Sequence, residues 1–389
     1  MAIVHSQQSQ SALPTRQIPE SILDLLNLWK VKDDILVFCL LLTGEPLKRP
    51  FMKSPLIFLL ILPLAAQVKI SPLARIETDT KEGLFYQFEY QQESRWTPLG
   101  EPFMGTGKKI TKDFAIPTDS QVRLKQLKDQ WVLVWADDFD GSSLDRSKWA
   151  NEENGYGGGN NERQFYSTEP KYTVVKDGLL NLHLFREPHT TTDGKTQPYK
   201  SSRLRSLYRG DWKYGRFEIR AKLPSGEGIW PAVWMLPTNS PYGTWAAGGE
   251  IDIIESRGSE VEKTIGTLHF GGKWPNNQYK GGSYRFPDKN ASEDFHLYAV
   301  EWERDEIRWF VDGIEWQKIT KDQWHSASAP QSPTAPFDQP FHLIINLAAD
   351  GHFFSGGDPN HRQSTDNLKD DAFPQTMQID YVKVYQWAR

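Results

Sequence analysis

From about residue 128 onward, short runs of alternating apolar and polar residues are separated by Gly, Pro and Asn, and no long amphipathic helical stretch interrupts them. A period of two with frequent turn residues predicts an all-β sandwich of roughly 260 residues. Residues 298–316 read as a hairpin, two alternating runs meeting at Asp312-Gly313. A smaller β-rich module is predicted over 70–126. There Tyr86, Phe88 and Tyr90 alternate with polar residues. Trp96–Gly100 and Gly105–Gly107 mark turns, and Phe114–Ile116 and Val122–Leu124 supply further strands. A module of that size without disulfides is small for independent stability.

The alternation is most informative at Gly249–Ser256, GEIDIIES, where Glu250, Asp252 and Glu255 are interleaved with three Ile. The β-branched Ile and the flanking Gly248, Gly249 and Gly258 disfavour a helix. In a regular strand Glu250 and Asp252 would share a face with Ile254, and Glu255 would point inward with Ile251 and Ile253. That register buries a charge and exposes an Ile. One inserted residue, a β-bulge at Ile253–Ile254, returns Glu255 to the side of the other two acids, so a bulge is expected. A metal-binding or merely solvated acidic strand is the competing reading.

Two carboxyl groups close together, one neutral and one ionised, are what hydrolysis of a glycosidic bond requires. A retaining enzyme places them about 5–5.5 Å apart, one as nucleophile and one as acid/base. Glu250 is assigned as nucleophile and Glu255 as general acid/base, with Asp252 between them tuning one or both; its charge helps keep Glu255 protonated. The local pattern alone is symmetrical between the two Glu.

Composition narrows the partners. A net charge of −5 and a pI near 6.0 give no reason to expect nucleic acid or an anionic membrane surface. The 15 Trp, 14 Tyr and 20 Phe suit both a sandwich core and flat platforms for the apolar faces of sugar rings. Cys39 is the only cysteine, so no intramolecular disulfide forms and no thiol or zinc–thiolate chemistry is available. Residues 52–67, MKSPLIFLLILPLAAQ, read as a signal peptide: Lys53, an apolar run too short to span a bilayer, then Ala65 and Ala66. The expected start is then Met52, with 1–51 an over-extended or disordered extension. The mature chain is expected to be secreted (extracellular or periplasmic), monomeric and without a membrane span.

On these residues the chain resembles family sixteen glycoside hydrolases of the laminarinase type, whose active-site strand carries the extra bulge residue. The resemblance spans roughly 128–389. It includes WADDFDGSSLDRSKW at 135–149, NNERQFY at 160–166, YGRFEIRAKLPSGEGIWPAVWMLP at 214–237, TIGTLHFGG at 264–272, LIINLAADG at 343–351 and QIDYVKVYQW at 378–387. It implies a jelly roll of two antiparallel sheets whose concave sheet forms the cleft. It further implies that Trp230, Trp234, Arg203, His269, Asn346, Asn161 and Trp274 meet the sugar. Asp380 is implied to hold a structural calcium ion; no cofactor is implied for catalysis. The Ala349-Asp350-Gly351 sequence departs from the Gly-Gly usual there, which leaves the neighbouring subsite loop undefined. The small module loosely resembles fibronectin-type-III-like modules. The implied activity is retaining endo-hydrolysis of β-1,3-glucan. Alternatives are the same chemistry on mixed-linkage β-1,3-1,4-glucan or a marine galactan, and a non-catalytic glucan-binding protein; relatives of that last kind have lost one or both catalytic Glu, and both are present here.

Overall fold

The computed structural model describes residues 73–389 except 93, 118–119, 289 and 356–363, together with short strands at Ile3–His5, Trp29–Val31 and Ile35–Val37. The signal segment 52–67, the start at Met52 and Cys39 lie outside the described residues. Two units form: Met1–Glu82 with Gln87–Glu101 and Gly105–Lys125, and Gly83–Tyr86 with Pro102–Met104 and Gln126–Arg389. Among the described residues, no helix is long and apolar enough to cross a membrane.

Most of the smaller unit's described residues lie in two three-stranded sheets. Leu73–Asp79 lies between Ile3–His5 and Lys109–Ala115, and Phe85–Gln92 lies between Arg95–Met104 and Gln121–Gln126. The turn expected at Trp96–Gly100 is instead part of the continuous strand Arg95–Met104. Its positive-φ Gly100 (64°) is absorbed within the ladder. Buried Gln87 is satisfied by donating to the carbonyls of Leu99 and Gly100, and buried Glu89 is met by Arg123 and Lys125.

The larger unit is a sandwich of two antiparallel sheets. The cleft sheet comprises β1 (Ala150–Asn151), β2 (Arg203–Arg205), β3 (Asp211–Trp212), β4 (Ile229–Pro237), β5 (Glu250–Glu255), β6 (Lys263–Gly271), β7 (Asn277–Arg285) and β8 (Phe341–Ala349). Its order is β1-β2-β8-β4-β5-β6-β7, with β3 also pairing β8. The facing sheet runs Thr173–Lys176, Leu179–Leu184, Gln375–Ala388, Gly215–Lys222, His296–Trp302, Glu306–Val311, Ile314–Thr320, with Gln130–Asp137 on the closing strand. The anticipated hairpin turns at Asp312-Gly313, both at positive φ (51° and 82°).

Between the sheets lies one dry layer that includes Phe217, Ile219, Val233, Met235, Ile251, Trp302, Trp309, Leu343 and Ile345. Full burial of each such side chain contributes about 1.5–3 kcal/mol. Alternation therefore sends one set of residues on β4, β5, β6 and β8 into this layer and the other set out into the cleft.

Candidate active site

On β5 the inward set is Ile251, Ile253 and Ile254, all buried. Against β6, Glu250 lies opposite His269, Asp252 opposite Thr267 and Glu255 opposite Ile265. Between Asp252 and Glu255 the strand holds one residue more than its neighbours, and the register against β4 shifts at the same place. The expected bulge is present. It keeps three Ile in the core and turns all three acids into the cleft.

Each acid has its own holder. The Trp245 indole N–H donates to Glu250 Oε2 at 3.0 Å, and the Trp230 indole N–H donates to Glu255 Oε1 at 3.2 Å. From the core side, Trp309 Nε1 donates to the Asp252 backbone carbonyl at 2.8 Å. His269 Nε2 lies 3.4 Å from Asp252 Oδ2 and 3.7 Å from Glu250 Oε1. Glu250, Asp252 and His269 are also the only trio among the described residues whose ligand atoms approach closely enough to share a metal ion.

Burial dominates the electrostatics. It pushes Glu250 and Glu255 up to about 8, with the Asp252 charge as the next cause for both, and it pushes Asp252 well above the carboxylate range. Three carboxyls in one desolvated patch cannot all ionise. His269 and an indole N–H favour the ionised form of each glutamate, Trp245 for Glu250 and Trp230 for Glu255, and Arg257 adds to this at Glu255.

The cleft spans about 670 Å³ and crosses the sheet from β2 to β7. Trp230, Trp234, Arg203, Asn346 and His269 all line it. Trp234 Nε1 donates to Asn346 Oδ1 at 2.7 Å. The Arg203 guanidinium, only 7% exposed, lies 4.8 Å over the Trp234 ring and pairs with Glu152 at 3.1 Å. Two expected contacts fall elsewhere. Asn161 sits at positive φ (58°), and its side chain is exposed outside the cleft while its neighbours Asn160 and Glu162 line it. The reason is a tight Gly157–Gly159 turn that lets Glu162 fold back beneath it; a Cβ on Gly158 would lie 2.0 Å from Glu162 Oε1. Trp274 is 71% exposed on the loop after β6 and is not part of the lining. Asp380 lies on the facing sheet, where its carboxylate is already matched by the Arg220 guanidinium.

Sequence reasoning missed Trp245, Tyr166, Tyr279, Arg257 and Phe353, all in the lining. Trp245 had a signal: it precedes the Gly248-Gly249 turn that opens β5, so the chain folds its indole back over Glu250. Phe353 had none, since it follows the segment whose course the sequence left undefined.

Comparison with known proteins agrees with this geometry. Residues 160–383 match the family described as glycosyl hydrolases family 16. The chain is 45% identical over 266 residues to glucan endo-1,3-beta-glucosidase A1 of Niallia circulans, covering 65% of this chain and 38% of that protein. It is 42% identical over 264 residues to a beta-glucanase of Rhodothermus marinus, covering 66% of this chain and 86% of the relative. The solved laminarinase from Rhodothermus marinus superposes with a TM-score of 0.57 at 39% identity, covering 67% of this chain and 99% of that one. The chain thus spans well under half of the Niallia protein and most of the Rhodothermus one. Because the matched span runs from the Asn160 turn through the bulged strand to the closing strand, the chain belongs to glycosyl hydrolase family 16.

Proposed function

We propose that the protein is a secreted endo-β-1,3-glucanase that cleaves laminarin-like polysaccharide with retention. The observation that carries this reading is the bulged β5 strand, which presents two glutamates to an open cleft with each carboxyl held by an indole N–H. Relatives named as endo-1,3-beta-glucosidase and laminarinase support the substrate class. Secretion rests on the signal-like segment 52–67.

In the first step Glu250 attacks the anomeric carbon. The glycosidic C–O bond breaks as Glu255 gives its proton to the departing oxygen, leaving a glycosyl ester on Glu250. Glu255, now ionised, then takes a proton from water. The water oxygen bonds to the same carbon, and Glu250 leaves as carboxylate with Glu255 reprotonated. Asp252 and His269 bias the charge between the two glutamates. Arg203 and Asn346 offer hydrogen bonds to hydroxyls, and Trp234 offers a flat apolar face.

The test is release of reducing ends from laminarin by residues 68–389, with barley glucan, agarose and κ-carrageenan alongside and Glu250→Gln as control. Release from laminarin that disappears in the variant supports the reading. Release from a galactan alone overturns the substrate. Laminarin binding without release from any polymer overturns catalysis.

A further inference from the structure

We infer that Phe353 and Arg257 are positioning residues for the general acid/base: together they fix the Trp230 indole whose N–H holds Glu255. The inference rests on the role proposed above for Glu255.

Trp230 sits in the cleft yet is only 8% exposed, because one ring face is covered by Phe353 at 4.3 Å and an interplanar angle of 11°. The covered indole has little flat surface left for a sugar ring. What it offers is its N–H, 3.2 Å from Glu255 Oε1. Phe353 is itself held from its other side. The Arg257 guanidinium carbon lies 4.3 Å from the ring centroid, and Arg257 Nε and Nη2 donate to the Phe353 carbonyl at 3.1 and 2.9 Å. Arg257 Nη1 pairs with Glu260 at 3.3 Å. The result is a three-layer stack of guanidinium, phenyl and indole, with its last polar atom on the acid.

The unusual Ala349-Asp350-Gly351 sequence explains how the stack is built. Asp350 is buried at positive φ (60°) and accepts from Arg163 Nη1 at 3.0 Å, from the Thr365 N–H at 2.8 Å and from Thr365 Oγ1 at 2.8 Å. Gly351 follows at φ 100°, where a Cβ would come within 2.7 Å of the Asn160 carbonyl. The His352 N–H then donates to that same carbonyl at 2.7 Å. This anchored turn launches Phe353 against Trp230. The segment left undefined by sequence therefore sets the placement of the proton donor.

The titratable and charged groups facing Glu255 are Glu250 and Asp252 on its own strand, His269 on β6 and Arg257 just after β5. The Trp230 N–H and the Arg257 charge both favour ionised Glu255, and releasing them moves its proton affinity upward.

The experiment compares Phe353→Ala, Phe353→Trp and Arg257→Gln on two substrates: laminarin, whose leaving oxygen needs a proton, and a dinitrophenyl β-glucoside of laminaribiose, whose leaving group does not. Phe353→Ala and Arg257→Gln are expected to lose about 10- to 100-fold in kcat/KM on laminarin, part of the 10²–10⁴ a general acid supplies. Both should lose less than threefold on the activated glycoside, and the basic limb of the laminarin kcat/KM profile should move to higher pH. Phe353→Trp, which keeps a stacked ring, should retain most activity. Equal losses on both substrates, an unmoved basic limb, or no rescue by Trp would overturn the inference. Glu255→Gln is run beside them. If its own loss does not depend on the leaving group, the role of Glu255 fails first, and the two failures are thereby separated.

Discussion

Replacing Glu250 by Gln should abolish hydrolysis and, at neutral pH, make the protein more stable. Burial and the Asp252 charge push Glu250 from an ordinary 4.5 up to about 8 in the folded chain. The folded state therefore holds the proton more tightly than the unfolded one. The stability tied to that proton is complete below pH 4.5, falls as pH rises and is gone above pH 8. At pH 7 the displacement corresponds to roughly 3 kcal/mol. Asp252 and Glu255 compete for the same single charge, so one substitution recovers only part of it, about 1–3 kcal/mol. For a unit of this size that is a rise in Tm of about 3–10 °C. Gln keeps the amide oxygen that accepts from Trp245, so that hydrogen bond survives the change. The measurement is Tm and urea midpoint for both proteins at steps from pH 4.5 to 8.5. The expected gap is near zero at pH 4.5 and largest at pH 8. A variant no more stable than the parent at pH 8, or a gain that does not change with pH, refutes the assignment of stored electrostatic strain to this carboxyl.

Other consequences are equally direct. Trp245→Phe removes the donor that favours charge on Glu250, so the acidic limb of the kcat/KM profile should move to higher pH and kcat/KM should fall about tenfold, the worth of one hydrogen bond to a charged group; an unmoved limb counts against it. Gly266→Ala should lower stability by about 2–4 kcal/mol in urea titration, because the new Cβ would lie 2.5 Å from the Trp309 ring behind Asp252. Arg203→Ala leaves Glu152 with Arg205 alone and strips the cation from the Trp234 face. Its KM for laminarin should rise at least severalfold with Tm falling, because Glu152 loses the better buried of its two cationic partners; unchanged KM sinks the subsite reading.

Much of the cleft was legible because period-two patterning assigns every strand residue to one of two faces. Three Ile among three acids left only one arrangement that keeps Ile dry and acids wet, and that arrangement required the bulge. Arg203 and Asn346 were reached through the family resemblance and Trp234 through its spacing as well; in the structure all three line the cleft. The illegible parts lie where no period applies. Asn161 lies in a Gly-rich turn, and its place outside the cleft is decided by the close fold of Glu162 beside Gly158, a contact across the turn. Trp230 obeys the face rule, but whether its exposed side meets a sugar or a phenyl ring depends on Phe353, more than a hundred residues away. Asp380 was read as a calcium ligand together with backbone carbonyls, and its partner Arg220, distant in sequence, was not foreseen.

The use of indoles throughout this site has a single physical reason. The catalytic strand must lie against a dry core, and its acids must be held without neutralising them. Lys or Arg could hold a carboxylate firmly, but a full positive charge would lower its proton affinity and defeat a general acid. Ser or Thr would bring little apolar area to the packing. An indole joins a large apolar body to one donor at its edge, so it packs in the sandwich or along the cleft wall and still gives one hydrogen bond. Trp245 and Trp230 do this for the two glutamates, Trp309 does it for the Asp252 carbonyl from behind, and Trp234 does it for Asn346. The basic side chains nearest the acids are then His269, 3.4 Å from Asp252 and 3.7 Å from Glu250, and Arg257, which is spent first on the Phe353 carbonyl and Glu260. The two glutamates can therefore share similar burial and still divide their roles, because the difference between them is carried by the groups one layer further out.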